Sequence, residues 1–595
     1  MKRSNCATAV LVLWLSAAAS ANEDLVSRQS DDNQWVLPGK NYSATRYSSL
    51  RQITANNVKN LKQVWSFSMG ALRGHEGQPL VVNSTMYAHS AYPNHVYAID
   101  LTKEGWPIKW KYTPVQDDRA VPVACCDLVH RGVNYAQGRI FMTTLDGQVI
   151  ALDAETGKEV WKVRNADPTK GETQTMSGLV VKDKFIVGVS GGEFGIRGWV
   201  AAYDLNSGRQ VWKAYSMGPD EDIKLAPDFN QANPHYGRFG EGTKTWPGER
   251  WRNGGGSTWG WYAYDPALNL FYYSTGNPGT WNPSVREGDN KWSVSIFARN
   301  PDTGIAKWAY QMTPWDAWDY DGINEHVLVD LTVAGKPVKA LVHFDRNGFA
   351  YLLDRTNGTL LSAEKFVPST NWAERIDLKT GRPVGDPSKR TKQGVNTKNI
   401  CPAAMGGKNQ QPVSFSPRTN LIYAGTNNLC MDYEGVEVKY IAGAPYVGAN
   451  VRIFPAPGGY LGEFLAWDPA AGKKVWGIKE PFPVWTGTLV TAGDVVFYGT
   501  MDGWFKAVNA KSGAPLWKSK LPSGSIANPI TFVGPDRKQY VAIYSGIGGW
   551  FGLPIAGNLS REDPLAALGA VGAAYGAGLD KVTSVGGTLH VFALE

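Results

Sequence analysis

Short stretches of alternating apolar and polar positions recur along the chain, with one near each end. Gln63-Val64-Trp65-Ser66-Phe67 and Leu589-His590-Val591-Phe592-Ala593 have the period of two expected of half-buried strands. Together they can close one sheet from both termini. Between them a longer pattern repeats: small residue, x, Asp or Asn, x, x, Thr, Ser or Ala, Gly, x, x, x, Trp. It reads ALDAETGKEVW at 151–161, AYDLNSGRQVW at 202–212, ARNPDTGIAKW at 298–308, AWDPAAGKKVW at 466–476 and AVNAKSGAPLW at 507–517. AIDLTKEGWPIKW (98–110) carries a two-residue insertion, LLDRTNGTLLS (352–362) loses the Trp, and AYDPALNLFYY (263–273) is a degenerate candidate.

The pattern has the chemistry of a hairpin. Asp and Gly set a tight turn, and the Gly is free to take φ > 0. The Trp opens the next strand with a side chain large enough to fill the gap between sheets. Repeats of roughly fifty residues, each holding several short strands, predict a β-propeller. We expect an all-β fold of eight blades. The intervals 212–298 and 362–466 leave room for decayed repeats or for long loop insertions over the face of the propeller.

The composition agrees: 43% hydrophobic, 19% charged, with 66 Gly, 35 Pro and 24 Trp in 595 residues, a pattern of many short strands rather than long helices. Residues 1–21 read as a secretory signal, with Lys2 and Arg3, an apolar run from Ala9 to Leu15, and the cleavage site Ala19-Ser20-Ala21. No later segment is apolar enough for a membrane span, so the expectation is a soluble exported protein whose residues 22–595 form one domain. A net charge of +7 without any basic tract gives no reason to expect nucleic acid. It favours an acidic protein partner only weakly.

Cys6 falls in the signal, leaving Cys125, Cys126, Cys401 and Cys430. An even count in an exported protein reads as two disulfides. Bridging Cys125 to Cys126 makes a strained eight-membered ring, since neighbouring Cα atoms stand about 3.8 Å apart and ordinary disulfides span about 4.4–6.8 Å. Two unrelated buried cysteines, or one paired elsewhere, are the alternatives.

The Trp repeat resembles the tryptophan-docking motif of the quinoprotein dehydrogenases over nearly the whole mature chain. Outer-membrane assembly propellers carry a similar repeat without catalysis, so the repeat alone leaves a non-catalytic scaffold as an alternative. PVACCDLVHRG narrows the choice, because it resembles the family's quinone pocket. There a Cys125–Cys126 bridge covers one face of the PQQ ring, and Trp259 in GGGSTWGW stacks on the other. The resemblance implies that Arg131, Thr175, Ser190 and Ser257 meet the carboxylates of PQQ, with Gly191 and Gly192 also at the cofactor. It places Arg346, in HFDRNG, near the quinone carbonyls, where it stabilises negative charge on reduction. Glu76, Asn409, Trp485 and Trp550 complete the contacts, and Cys401–Cys430 matches the family's second disulfide.

Glu193, Asn277 and Asp319 match the family's metal ligands, an oxygen set suited to a hard cation, with Asp319 the candidate base for the alcohol proton. Asp321 adds a further carboxylate, where calcium-type relatives carry a small residue and lanthanide-type relatives a second Asp. Three negative charges match a trivalent ion. The resemblance thus implies oxidation of methanol or another small primary alcohol by hydride transfer to PQQ beside a lanthanide, with Ca²⁺ the alternative. CxxCH is absent, so a separate soluble cytochrome c is the implied acceptor. A homodimer in the periplasm is expected from resemblance alone.

Overall fold

The computed structural model describes residues 20–595. The expected signal therefore lies outside the described residues, except for Ser20 and Ala21, which begin the helix Ser20–Arg28. The fold is an all-β propeller. Its main elements, among the described residues, are eight sheets of four or five strands.

The repeat folds as its chemistry demands. In the copy at 151–161 the Asp153 carboxylate accepts the backbone N–H groups of Glu155 and Thr156 at 3.2 and 2.8 Å, and Gly157 takes φ +70°. The chain thereby turns from strand Gln148–Asp153 into strand Glu159–Arg164. Trp161 then reaches into the next sheet, where its indole donates to Leu205 O at 2.9 Å. A Cβ on Gly208 would stand 2.7 Å from that indole, so the Gly serves both the turn and the packing.

The same contact recurs from sheet to sheet. Trp110 donates to Ala154 O, Trp212 to Pro301 O, Trp308 to Arg355 O and Trp476 to Ala510 O. Trp517 donates to Leu61 O and Trp65 to Gly105 O, closing the circuit. At the copy lacking its Trp, the Glu364 stem covers Gly472 instead. The termini meet as the alternation predicted: Leu61–Ser68 pairs antiparallel with Thr588–Leu594 as the outer strand of their sheet. Near the axis, the segment 35–48 crosses the first strands of several sheets, with Trp35 on Val81 and Tyr47–Ser48 parallel to Leu489–Thr491.

One reading needs correction. AYDPALNLFYY is no degenerate repeat: it spans the hairpin between the first two strands of its sheet, Ala263–Asp265 and Leu270–Ser274. Asp265 accepts Ala267 N and Leu268 N, so the turn chemistry is shared, but the strand that follows is internal and needs no docking Trp. The long intervals hold insertions. Residues 373–455 contribute a two-stranded and a three-stranded sheet, the latter carrying the Cys401–Cys430 disulfide. Among the described residues no helix is long and apolar enough to cross a membrane.

Candidate active site

Neighbouring strands run antiparallel in every four-stranded sheet. The connections between strands two and three, and from strand four to the next sheet, therefore emerge on one face, opposite the repeat hairpins. The singled-out residues occupy these connections. Thr175 precedes strand Leu179–Val181, Ser190 to Glu193 follow Lys184–Gly188, and Asn277 follows Leu270–Ser274. Asp319 and Asp321 precede Val327–Val333, Arg346 lies between Lys336–Phe344 and Phe349–Asp354, and Trp550 begins the helix Gly549–Ala556. Segments far apart in sequence thus surround one cavity.

At one end of the cavity the groups suit an anion. Arg131 pairs with Glu76 at 2.6 Å, both nearly inaccessible to water. It also donates to Thr175 Oγ1 at 2.7 Å, and Thr175 lies 3.1 Å from Ser190 Oγ. Its guanidinium stands 4.7 Å from the Trp259 ring centroid, and that of Arg346 stands 5.5 Å from it. Trp259 lines the cavity together with Cys125, Cys126, Trp485 and Trp550. Flat and polarizable walls of this kind suit a planar conjugated ligand.

At the other end the groups suit a cation. Arg346 Nη1 stands 3.3 Å from Asp319 Oδ2 and 3.2 Å from Asp321 Oδ2. Half-buried Glu193 lines the same wall. Burial, helped by repulsion from Asp321, pushes its carboxyl up to about 7. Burial likewise pushes Asp319 and Asp321 up, against the pull of Arg346. Among the described residues these carboxylates do not close into a tight cage, as like charges in a low dielectric repel. Asn277 stands just behind: its backbone N–H donates to Asp321 Oδ1 at 2.6 Å.

Unpartnered buried atoms test the fit. Asn277 Oδ1 and Asp319 Oδ1 lack acceptable donors, and Arg131 Nε and Arg346 Nε lack acceptors. Two hard oxygens short of a positive partner and two guanidinium N–H groups short of an oxygen are costly to bury. They match a hard cation beside an oxygen-rich anion.

Comparison with known proteins gives these groups a context. Residues 35–400 and 465–541 match the family model described as glucose/ethanol/alcohol dehydrogenase, beta-propeller domain. The chain is 64% identical to the lanthanide-dependent methanol dehydrogenase of Methylacidiphilum fumariolicum, over 97% of this chain and 95% of that one. The chain belongs to the PQQ-dependent alcohol dehydrogenases. Other relatives agree with this assignment. Methanol dehydrogenase [cytochrome c] subunit 1 of Methylorubrum extorquens is 49% identical over 98% of this chain and 94% of its own. The solved structure of a europium-containing methanol dehydrogenase superposes with TM-score 0.96 and 64% identity, covering 96% of this chain and all of that one.

In this quinoprotein Glu76, Cys125, Cys126, Arg131, Thr175, Ser190, Gly191, Glu193, Trp259, Asp319, Asp321, Arg346, Asn409, Trp485 and Trp550 line the cavity. Gly192, Ser257 and Asn277 stand behind that lining. A Cβ on Gly192 would lie 3.3 Å from Ser257 Oγ and 3.5 Å from Asn277 Oδ1, so the Gly lets those two side chains approach. The Asn409 amide turns back on its own loop, donating to Met405 O and accepting Gln410 N. Cys125 and Cys126 are separate thiols in the structure, without the bridge expected between them. Closing so small a ring strains the linking peptide. The neighbouring Cys126 sulfur and burial push the Cys125 thiol up.

Sequence reasoning missed three contributors. Asp316 accepts the backbone N–H groups of Trp318, Asp319 and Tyr320 at 3.1–3.2 Å. It thereby holds Asp319 at φ +64°, a conformation costly for a residue with a Cβ. An Asp three residues upstream of Asp319 was a legible turn signal. Asp127 accepts Gly74 N and Gly549 N, tying the Cys125–Cys126 loop to the Trp550 helix. Trp281 packs 5.9 Å from Trp550. Those two contacts join distant segments and had no local signature.

Proposed function

We propose that this chain is a periplasmic lanthanide-dependent methanol dehydrogenase, oxidising methanol or another small primary alcohol to the aldehyde and passing electrons to a soluble cytochrome c. The observation that carries the reading is Asp321, the third carboxylate beside Glu193 and Asp319, where Arg346 is the cation that faces Asp319 and Asp321. Three negative charges balance a trivalent ion and overbalance Ca²⁺. The names of the relatives at 64% and 49% identity support the lanthanide and the cytochrome respectively.

When bound, PQQ supplies the two-electron acceptor and the lanthanide a Lewis acid. Arg131, Thr175 and Ser190, backed by Ser257, would hold carboxylate oxygens, and Trp259, Cys125 and Cys126 would supply the walls for the ring. Asp319, held by Asp316, takes the alcohol hydroxyl proton as hydride leaves carbon. Arg346 stabilises negative charge developing on the quinone oxygens. The eight sheets serve as eight blades joined by docked tryptophans, residues 1–21 as the export signal, and residues 22–595 as one catalytic domain that forms a homodimer.

Purified protein supplied with PQQ, a light lanthanide and an artificial dye acceptor should turn over methanol. Full activity with Ca²⁺ alone would assign the chain to the calcium branch, and no activity with either ion would favour a scaffold. We also propose that Cys125 and Cys126 form a vicinal bridge after export by thiol–disulfide exchange, the disulfide of an oxidising partner protein accepting the two electrons and two protons and leaving as its dithiol. Mass mapping of the mature, unreduced protein should find these two joined. A Cys125–Cys401 link would remove the bridge from the quinone wall.

A further inference from the structure

Outside the cavity lining, next in sequence to Arg346, four buried side chains form one line. Ser274 Oγ lies 2.9 Å from His326 Nε2, His326 Nδ1 lies 3.0 Å from His343 Nδ1, and His343 Nε2 lies 3.1 Å from Asp345 Oδ1. All four are at most 3% exposed. Neither the quinone contacts nor the metal ligands include any of them.

The acceptors around this line decide where its protons sit. The Glu325 carbonyl lies 3.2 Å from His343 Nδ1. A carbonyl can only accept, so His343 Nδ1 carries a hydrogen, shared with His326 Nδ1. His326 then has its own hydrogen on Nε2, facing Ser274. A neutral His343 has no second hydrogen, so its Nε2 accepts, and the group opposite, Asp345 Oδ1, must donate. Asp345 Oδ2 is already an acceptor, from Asn347 N–H at 3.1 Å. A doubly protonated His343 is the competing arrangement. It would place an imidazolium wholly out of water with the Lys408 ammonium nearby, and burial holds this ring down at about 4. Asp345, for its part, is pushed well above the ordinary carboxyl range by burial, against the pull of the Asn347 N–H and of Arg346.

We propose that Asp345 is a neutral carboxylic acid that donates to His343, and that it acts as a positioning residue for Arg346. Resting on the quinone role given above to Arg346, the consequence is one of charge. An ionised Asp345, one residue before Arg346, would draw on the guanidinium and add a further negative charge to Glu193, Asp319 and Asp321. Held as the acid, it leaves the Arg346 charge to the cavity.

Infrared difference spectra of the holoenzyme against D345N test the assignment directly. The wild type should show a buried carboxylic-acid carbonyl band at neutral pH that is lost in D345N, and absence of any such band overturns the proposal. The Asn amide can reproduce both contacts, donating to His343 and accepting Asn347 N–H. D345N should therefore keep dye-linked kcat within about twofold and leave its pH profile unmoved, whereas D345L should lose about tenfold or more. D345N falling as far as D345L would also overturn it. The infrared band does not depend on which metal or alcohol the enzyme uses, so its outcome separates this inference from the proposed function.

Discussion

Asp319→Asn should retain the absorbance of bound PQQ yet lose methanol turnover by at least about two orders of magnitude, the lower range of a general-base contribution. Asn is isosteric with Asp, so Asp316 can still hold the turn at residues 318–320. Arg131, Thr175, Ser190 and Trp259, which carry the anion end of the cavity, are untouched. What disappears is the basic function of the side chain, together with one negative charge facing Arg346 and the metal set, so metal analysis of the variant accompanies the assay. Asp319 Oδ1 is buried and unpartnered. Stability should not suffer, because an ionised carboxylate at 1% exposure beside Asp321 and Glu193 is costly to bury. The thermal midpoint of metal-free protein should stay level or rise. Near-normal dye-linked activity in this variant would exclude Asp319 as the base.

Asp321→Ala should abolish lanthanide-dependent activity while leaving a folded protein. The change removes one charge and one oxygen donor from a site withdrawn from water. Truncating one partner of a buried charge pair typically costs about 2–5 kcal/mol, on the order of a hundredfold or more in affinity for a trivalent ion. The structural cost is small by comparison. Asp321 makes one short hydrogen bond, from Asn277 N–H, and its loss also relieves the repulsion on Glu193. Glu193, Asn277 and Asp319 remain, a set able to take Ca²⁺. Recovery of activity with calcium is not expected to be complete, because Arg346 then faces one carboxylate where it now faces two. Metal analysis with dye-linked assays in Ca²⁺ and in light lanthanides reads both outcomes. A variant indifferent to the substitution would leave Asp321 without a part in metal binding.

The repeat was legible because its chemistry is local. Asp153 and Gly157 lie four residues apart and shape one turn within a single hairpin, and the spacing to Trp161 follows from strand geometry. The outer closure by Gln63–Phe67 against Leu589–Ala593 was legible for a similar reason, since each half alternates with period two. The same local logic misled at Asp265, where an identical side-chain turn joins two inner strands. A turn signal states that the chain reverses and says nothing of which pair of strands it joins.

At the site, the sequence by itself determined the kinds of groups present: adjacent thiols, a stacking Trp, cations for an anion, and three carboxylates with one amide for a cation. Tertiary structure decided which of them share a cavity wall and which stand behind it. Gly192 lies against Ser257 and Asn277, Asp127 joins a loop to a helix 422 residues away, and Arg346 faces both Asp319 and Asp321. The protons on the line from Ser274 to Asp345 were equally invisible in one dimension, because the Glu325 carbonyl that orders them lies 18 residues from His343. Residue type fixes what a group can donate, accept or carry, and its spacing fixes local turns. Burial and the approach of distant segments set its charge and its partners, because both depend on what replaces water around it.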